Sequence, residues 1–342
     1  MAKKKNGEPS GQSSQSTTVP IVAIGASAGG IDAMRDLLAR LPSVTGMAYV
    51  YIQHPDPKNP VDPIALLASS TQMPVEGAHH LLAVEPNHLY VLPPNEDLEI
   101  IDGVFTQTAN QDKPVTHMPI DHFFLSLTEW QKEGTIAVLL SGTASDGTLG
   151  LRAINAAGGI TFAQDDTAQY QSMPRTAILE GVVDKVLPPA EIAAELERLS
   201  HQTGLFRETL MREEREPEPT DQSMDTQLAG TEDDLRNIIQ LLRRAMGVDF
   251  SHYKSTTIRR RIIRRTLLFK LDSLHDYVGY LRQHPEELAQ LYNDLLINVT
   301  SFFRDADTMD YVQKVLLPQI LREKPANDPI RIWVPACSTG QE

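Results

Sequence analysis

Residues 19–200 alternate short, almost wholly apolar runs with longer runs that carry apolar residues every three or four positions. The apolar runs have the length of strands, whereas the intervening runs have helical spacing. A short apolar run without polar alternation is typical of a parallel strand that is covered on both faces. The alternation therefore predicts an α/β fold with a doubly wound, mostly parallel sheet and a functional site at the carboxyl ends of its strands.

Composition narrows the class of protein. Hydrophobic residues make up 41% of the 342 residues, but no apolar run reaches the roughly 20 residues of a membrane span, so we expect no membrane insertion. The single cysteine, Cys337, excludes an internal disulfide and a multi-cysteine metal site, and with no apolar leader at the start it predicts a cytoplasmic protein. The net charge of −14 argues against general nucleic-acid binding.

The pattern divides the chain into five predicted segments. A polar tail (1–18) precedes the α/β segment (19–202), and an acidic, proline-containing linker (203–230) follows it. The next segment (231–325) has helical spacing throughout. The last (326–342) contains the run IRIWVP, which predicts the first strand of a further domain.

The first predicted strand leads into Gly25-Ala26-Ser27-Ala28-Gly29-Gly30 and then into a predicted helix. This run satisfies the G-x-S-x-G pattern in the strand–turn–helix context of a serine nucleophile, where free amides at the helix start can hold an oxyanion. A glycine-rich first turn can also cradle a pyrophosphate, or it can be only a tight turn. The motif alone leaves the three interpretations open.

Two further polar positions follow predicted strands. His54 ends the second strand, and Asp146 follows the strand TIAVLLSG. Since the ends of parallel strands share one edge, we expect both residues near Ser27, with His54 as base and Asp146 as the acid that orients it. The alternative for Asp146 alone is a helix cap. Dinucleotide binding is less well supported, because Asp56 lies behind a proline and too far along for a ribose-binding acid.

The motifs IGASAGG, IQHPD, LLSGTASDG and TFAQDDTAQYQSMPRTAILEGVVDKVLP resemble, in order and spacing, those of the chemotaxis receptor methylesterase (CheB) catalytic domain. The resemblance covers about residues 19–200, and it implies Ser27 as nucleophile, His54 as base and Asp146 as orienting acid. One departure is Thr143, where the family has methionine before the acid. A second is that only a polar tail precedes the first strand, in place of a phospho-receiver domain.

The resemblance implies hydrolysis of glutamate γ-methyl esters on chemoreceptors, and also glutamine deamidation, without metal or cofactor. The implied partner is the cytoplasmic helices of a methylated receptor. Two other functions remain open: a general serine esterase or amidase, and a non-enzymatic signalling adaptor.

A basic stretch in the helical segment has an apolar stripe at Ile258, Ile262, Ile263 and Leu267, which predicts an amphipathic helix with arginines on its other faces. A solvated face is one interpretation. The arginines also suit docking to an acidic protein region, and we predict that role for four of them, Arg260, Arg261, Arg264 and Arg265.

The stretches GVDFSHYKSTTIRRRIIRR, INVTSFFRD and WVPACSTGQE resemble the chemoreceptor methyltransferase (CheR) over residues 235–342. The resemblance implies that Asn298, Thr300 and Arg304 contact S-adenosyl-L-methionine and that the basic helix contacts receptors. Because the sheet that would hold this cofactor has barely begun at residue 342, we expect a truncated esterase–transferase fusion with no transferase activity in these residues.

Overall fold

The computed structural model describes most of the predicted domains, namely residues 19–54, 62–93, 98–107, 118–131, 135–213, 225–253, 255–296 and 311–323, with Arg331 and Trp333. The side chains of 203–231 and of Thr256 are outside the description. The chain divides into two compact units, one formed by 1–151 with 160–203 and the other by 152–159 with 204–342.

The strands of the first unit lie where the apolar runs predict them, with further short strands between. In chain order they are β1 (Ile21–Ala26), β2 (Ala48–Gln53), β3 (Val75–Gly77), β4 (Leu89–Val91), β5 (Leu98–Ile101), β6 (Val104–Gln107), β7 (Ile136–Leu139), β8 (Ile160–Gln164) and β9 (Lys185–Leu187). Seven of them form one sheet in the order β3-β4-β2-β1-β7-β8-β9, and every pairing in it is parallel.

The described helices of the first unit lie between its strands or, in the case of the last, follow them. They are α1 (Gly30–Leu38), α2 (Pro63–Ala68), α3 (Pro119–Trp130), α4 (Thr148–Ala157), α5 (Ser172–Leu179) and α6 (Pro189–Glu213). Every residue of β1 is buried, as expected of a central strand with helices over both faces. The predicted α/β fold with a mostly parallel sheet is confirmed.

β5 and β6 form a separate antiparallel hairpin. Asp102 and Gly103 make its turn, with φ of 51° and 76°. Two successive positive φ values are the geometry of a tight hairpin turn that Asp-Gly favours. An Asp-Gly pair between two extended runs is therefore a sequence signal for this hairpin.

The second unit is helical, as the spacing predicts. Its described elements are α7 (Asp225–Met246), α8 (Ser255–Leu268), α9 (Leu274–Gln283), α10 (Pro285–Leu295), a π-helical turn (Val312–Leu316) and α11 (Leu317–Glu323). Helix α6 extends to Glu213 and α7 begins at Asp225. Helical structure thus enters the predicted linker from both ends, where the sequence has no proline and contains good helix formers such as leucine, arginine, glutamate and glutamine. The predicted strand at IRIWVP lies outside the described residues except for Arg331 and Trp333.

The arginines of α8 are buried or half-buried, so the interpretation of the basic stretch as a solvated face does not hold. Arg261 and Arg264 are 4% and 3% exposed. Within the second unit, Arg264 Nε donates to the carbonyl of Gly159 at 2.8 Å, and Arg261 Nη1 donates to that of Asn155 at 2.8 Å. Arg260 is half-buried. Apolar residues line one side of α8, but the long arginine stems are themselves packed, which periodicity does not reveal.

Arg265 lies in an ion-pair network inside the helical unit. Its guanidinium contacts both carboxylate oxygens of Glu287, and Asp294 accepts from it at 2.7 Å. Glu287, which is 3% exposed, also accepts from the Tyr277 hydroxyl at 2.6 Å. Charges removed from water in this way need such partners, and Arg265 therefore has a structural role in this unit.

Candidate active site

Ser27 lies immediately after β1, in the turn that leads into α1. Its amide donates to the carbonyl of Ser141 at 3.0 Å, which ties the turn to the end of the neighbouring strand β7. The residue is 7% exposed. Ser27 is thus held at the carboxyl edge of the sheet, where the doubly wound fold places its functional sites.

Ser141 joins three loops around this turn. Its hydroxyl donates to the carbonyl of Ala28 at 2.8 Å and accepts from the amide of Tyr170 at 3.0 Å, while its own amide donates to Gln164 Oε1 at 2.9 Å. Ser141 is fully buried. Ser141 is not among the site residues predicted from the sequence. Its only signal was a polar residue directly after a buried strand.

Strand register places His54 beside Ser27. Ala26 and Gln53 are partners in the parallel pairing of β1 with β2, and the amide of His54 donates to the carbonyl of Ala26 at 3.2 Å. Ser27 follows Ala26 at the end of β1, and His54 follows Gln53 at the end of β2. Neighbouring strands lie about 4.8 Å apart, so the two backbones are adjacent at this edge.

His54 contacts Asp146, 92 residues further along the chain. Its Nε2 lies 2.7 Å from Asp146 Oδ2. Asp146 is 1% exposed, whereas the side chain of His54 is 21% exposed. One ring nitrogen of His54 therefore binds a buried carboxylate, while the rest of the side chain is partly exposed to solvent.

Backbone amides surround the Asp146 carboxylate. Oδ2 accepts from the amide of Ile120 at 3.0 Å, and Oδ1 accepts from those of Asp121 at 2.8 Å and Gly147 at 2.9 Å. Ile120 and Asp121 are in the first turn of α3, whose amides have no partners within the helix. Asp146 therefore caps α3, a helix that is distant in sequence, through its side chain. The carboxylate contacts His54 and caps α3 at the same time, and the cap is not on the helix that follows it in sequence.

An ionised carboxylate can only accept hydrogen bonds, and all four partners of Asp146 can donate. Nε2 of His54 therefore carries a proton, and Nδ1 carries the lone pair. No hydrogen bond joins Nδ1 to the Ser27 hydroxyl among the described residues. The arrangement brings together His54 and Asp146 by direct contact, and Ser27 by adjacency.

The turn also supplies free donors. Among the described residues, the amides of Ala28 and Gly29 donate no hydrogen bond, while the amide of Gly30 donates to the carbonyl of Ser27 at 2.9 Å. An amide directly after the nucleophile is a usual oxyanion donor at a strand–turn–helix serine. Thr143, which replaces the family's methionine, lies in an exposed loop.

Asp121 is a second buried carboxylate near Asp146. It is 5% exposed, and its Oδ1 accepts from the amide of Gly150 at 2.7 Å. Burial raises the pKa of Asp121 to about 6, and the negative charge of Asp146 contributes to the rise. Asp121 is not among the site residues predicted from the sequence, because an acid in the first turn of a predicted helix is common.

Gly29 offers a test of how tightly the turn is built. Its φ is 71°, and a β-carbon there would lie 2.8 Å from both Ser141 Oγ and Gln169 Oε1. We expect Gly29→Ala to lower kcat/KM for ester hydrolysis by about 100-fold, because displacing a reacting group by about 1 Å costs that much. Ester hydrolysis by the purified variant measures the effect.

The matched control is Gly46→Ala. Gly46 has a similar φ of 73°, but nothing lies within 4 Å of a β-carbon there. Both variants bear the cost of a left-handed alanine, about 1–2 kcal/mol, and both should lower the melting temperature. If the two variants lost activity equally, close packing at Gly29 would not be the cause.

The three residues predicted to contact S-adenosyl-L-methionine, Asn298, Thr300 and Arg304, lie outside the described residues. No step of methyl transfer follows from the described part of the chain. Within that part, no group of three or more His, Cys, Asp or Glu side chains could hold a metal ion. None of the described helices has the length and hydropathy needed to cross a lipid bilayer.

Three family models match the chain in succession. The model for the CheB methylesterase matches residues 22–196. The model for the all-alpha domain of the CheR methyltransferase matches residues 233–296, and that for its S-adenosylmethionine-binding domain matches residues 298–342.

Individual proteins are also similar to the chain. A 104.1 kDa protein of Rhodobacter capsulatus, named as uncharacterized, is 32% identical over 294 residues, covering 81% of this chain and 30% of that protein. A protein-glutamate methylesterase/protein-glutamine glutaminase 2 of Burkholderia pseudomallei is 34% identical over 184 residues, covering 53% of this chain and 54% of that protein.

A solved structure also matches. It is the CheB methylesterase catalytic domain of Thermotoga maritima, with 30% identity and a TM-score of 0.49, covering 53% of this chain and 98% of that one. The chain spans about half the length, or less, of the two curated relatives.

Proposed function

Because this chain belongs to the CheB methylesterase family, whose model matches residues 22–196, we propose that it is a serine hydrolase acting on the glutamate γ-methyl esters of chemoreceptors. The observation that carries the proposal is the 2.7 Å contact between His54 Nε2 and Asp146, made at the edge where Ser27 follows the adjacent strand. The segment 19–202 is the proposed catalytic domain.

The proposed reaction uses the free nitrogen of His54. Ser27 Oγ attacks the ester carbonyl while Nδ1 takes its proton, and Asp146 stabilises the imidazolium through Nε2. His54 then protonates the departing methoxide, which leaves as methanol. Water, activated by the same imidazole, hydrolyses the acyl-enzyme to glutamate and free Ser27.

The amides of Ala28 and Gly29 are the proposed oxyanion donors. They lie directly before α1 and donate no hydrogen bond among the described residues. One such donor contributes about 3–4 kcal/mol to the stability of the transition state in other serine hydrolases. None of these steps calls for a metal or a cofactor.

The partner and the residues that would bind it belong to the same proposal. The family acts on receptors, so the proposed partner is the cytoplasmic helices of a methylated chemoreceptor, in keeping with a cytoplasmic location for a protein with a lone cysteine. Docking through Arg260, Arg261, Arg264 and Arg265 stays a prediction. It requires the buried guanidinium groups of α8 to leave their present carbonyl and carboxylate partners.

Glutamine deamidation is a second candidate activity. The Burkholderia relative carries both activities in its name, and the same acyl-enzyme forms when ammonia is the leaving group. The residues matched by the CheR models form the second part of the proposed fusion. In that part, S-adenosyl-L-methionine is the proposed ligand of Asn298, Thr300 and Arg304.

The test supplies the purified chain with a receptor whose glutamates carry labelled methyl esters. We expect release of labelled methanol, with a kcat/KM well above that for a simple ester such as p-nitrophenyl acetate. Turnover of the simple ester alone would favour a general esterase. Receptor binding without any methanol release would favour an adaptor, and either result would contradict the proposal.

A further inference from the structure

The carboxylates of Asp121 and Asp146 cap each other's helices. Asp146 precedes α4 and accepts from the first-turn amides of α3, including that of Asp121 at 2.8 Å. Asp121 lies in the first turn of α3 and accepts from the amide of Gly150, in the first turn of α4, at 2.7 Å. Each acid therefore fixes the helix that carries the other.

This reciprocal pair holds the acid that contacts His54. Asp146 and Gly147 immediately precede α4, so a shift of that helix start displaces Asp146. Asp121 anchors this start through Gly150, and its own amide holds Asp146 Oδ1. Both acids are buried, at 5% and 1% exposure, so solvent cannot replace either contact at low cost.

We infer that Asp121 is a positioning residue of the esterase site: it holds Asp146 against His54 and adds a second negative charge beside it. The inference rests on the proposed function. The raised pKa of Asp121, about 6, is in keeping with two carboxylates in one buried site.

Other charged groups around α3 are accounted for. His122, the next residue of α3, pairs with Glu99 of β5 at 3.3 Å. On α4, Arg152 is exposed, and on β2 the ionisable groups are the tyrosines Tyr49 and Tyr51. Asp146 is the charged group that acts on the Asp121 carboxylate, and it is the one bound to His54.

The sign of the effect follows from charge. Above pH 6 the ionised Asp121 favours the protonated imidazole, which is the inactive form at acid pH. Removing this charge therefore moves the acid limb of the pH–rate profile to lower pH. Asp121→Asn removes the charge but keeps a carbonyl oxygen for the Gly150 amide, whereas Asp121→Ala removes both.

The experiment follows the rate at which a fluorophosphonate modifies Ser27 of the full chain between pH 4.5 and 9, with intact mass as readout. We expect the acid midpoint of Asp121→Asn to lie about half a pH unit or more below that of the wild type. The plateau rate of Ser27 modification in Asp121→Asn should stay within about threefold of the wild-type rate. In Asp121→Ala it should fall to about one tenth of the wild-type rate or less.

Glu129→Gln is the matched control, since it removes an exposed charge from the same helix and should leave the midpoint unchanged. A role limited to helix stability would lower the melting temperature without moving the midpoint. Should Asp121→Asn fail to fold, Asp121→Ser removes the charge and offers a hydroxyl as cap.

An unchanged midpoint in the folded, uncharged variant would overturn the inference while leaving the proposed function intact. A wild-type Ser27 that fails to react at any pH would instead overturn the proposed function, and the inference with it.

Discussion

Replacing Ser27 by alanine is expected to lower methanol release from a methylated receptor by at least about 10⁴-fold. Loss of the nucleophile in a serine hydrolase leaves only substrate binding and oxyanion stabilisation. The hydroxyl makes no hydrogen bond among the described residues, so we expect the melting temperature to change little. Labelled methanol released per folded enzyme measures the effect.

The control for this variant is Ser145→Ala. Ser145 belongs to the same edge of the sheet but lies in an exposed loop, and its replacement should preserve activity within a few-fold. Receptor binding should survive in both variants, because Ser27 is proposed to act in the chemical step. Turnover by Ser27→Ala above about one percent of wild type would rule out Ser27 as the nucleophile.

The second large effect is expected for Asp146→Asn, with a fall in kcat of about 10⁴-fold. An asparagine amide group at the position of Oδ2 faces the donor Nε2 of His54, so the imidazole turns to the tautomer with its proton on Nδ1. That nitrogen can then no longer take the proton of Ser27, and the same change in a serine protease has this magnitude.

Stability should fall as well, because one capping oxygen for α3 is lost. Oδ2 also accepts from the amide of Ile120, and the loss of such a cap costs about 0.5–2 kcal/mol. The free energy of unfolding from urea titration measures this part. Asp36→Asn, on the exposed side of α1, should change neither quantity, and a fully active Asp146→Asn would show that His54 does not need this acid.

The residues of the proposed triad could be chosen from the sequence because each follows a buried apolar run. The carboxyl ends of parallel strands share one edge, so the sequence alone predicts that Ser27, His54 and Asp146 lie together. The hairpin at Asp102-Gly103 was equally predictable, since its dihedral requirements select those two residue types. These patterns depend on residues that are near neighbours in sequence, so they can be recognised from the sequence alone.

The interpretation of the α8 arginines as a solvated face fails for a related reason. Helical spacing shows which side of a helix is apolar, but it does not show what covers the other sides. Arg264 and Arg265 find their carboxylate partner at Asp294, about two helices further along. Pairings over such distances depend on how helices pack, and one sequence does not specify them.

The sequence by itself determined the order of strands and helices, the parallel sheet and the three residue types at its edge, because periodicity and turn chemistry act between near neighbours. Only the tertiary structure decided that Asp146 caps α3, that Asp121 returns the contact at α4, and that Ser141 joins three loops. Those hydrogen bonds link segments 25 or more residues apart. They exist because burial leaves each of these polar groups without water, so each must find its partner wherever the fold places one.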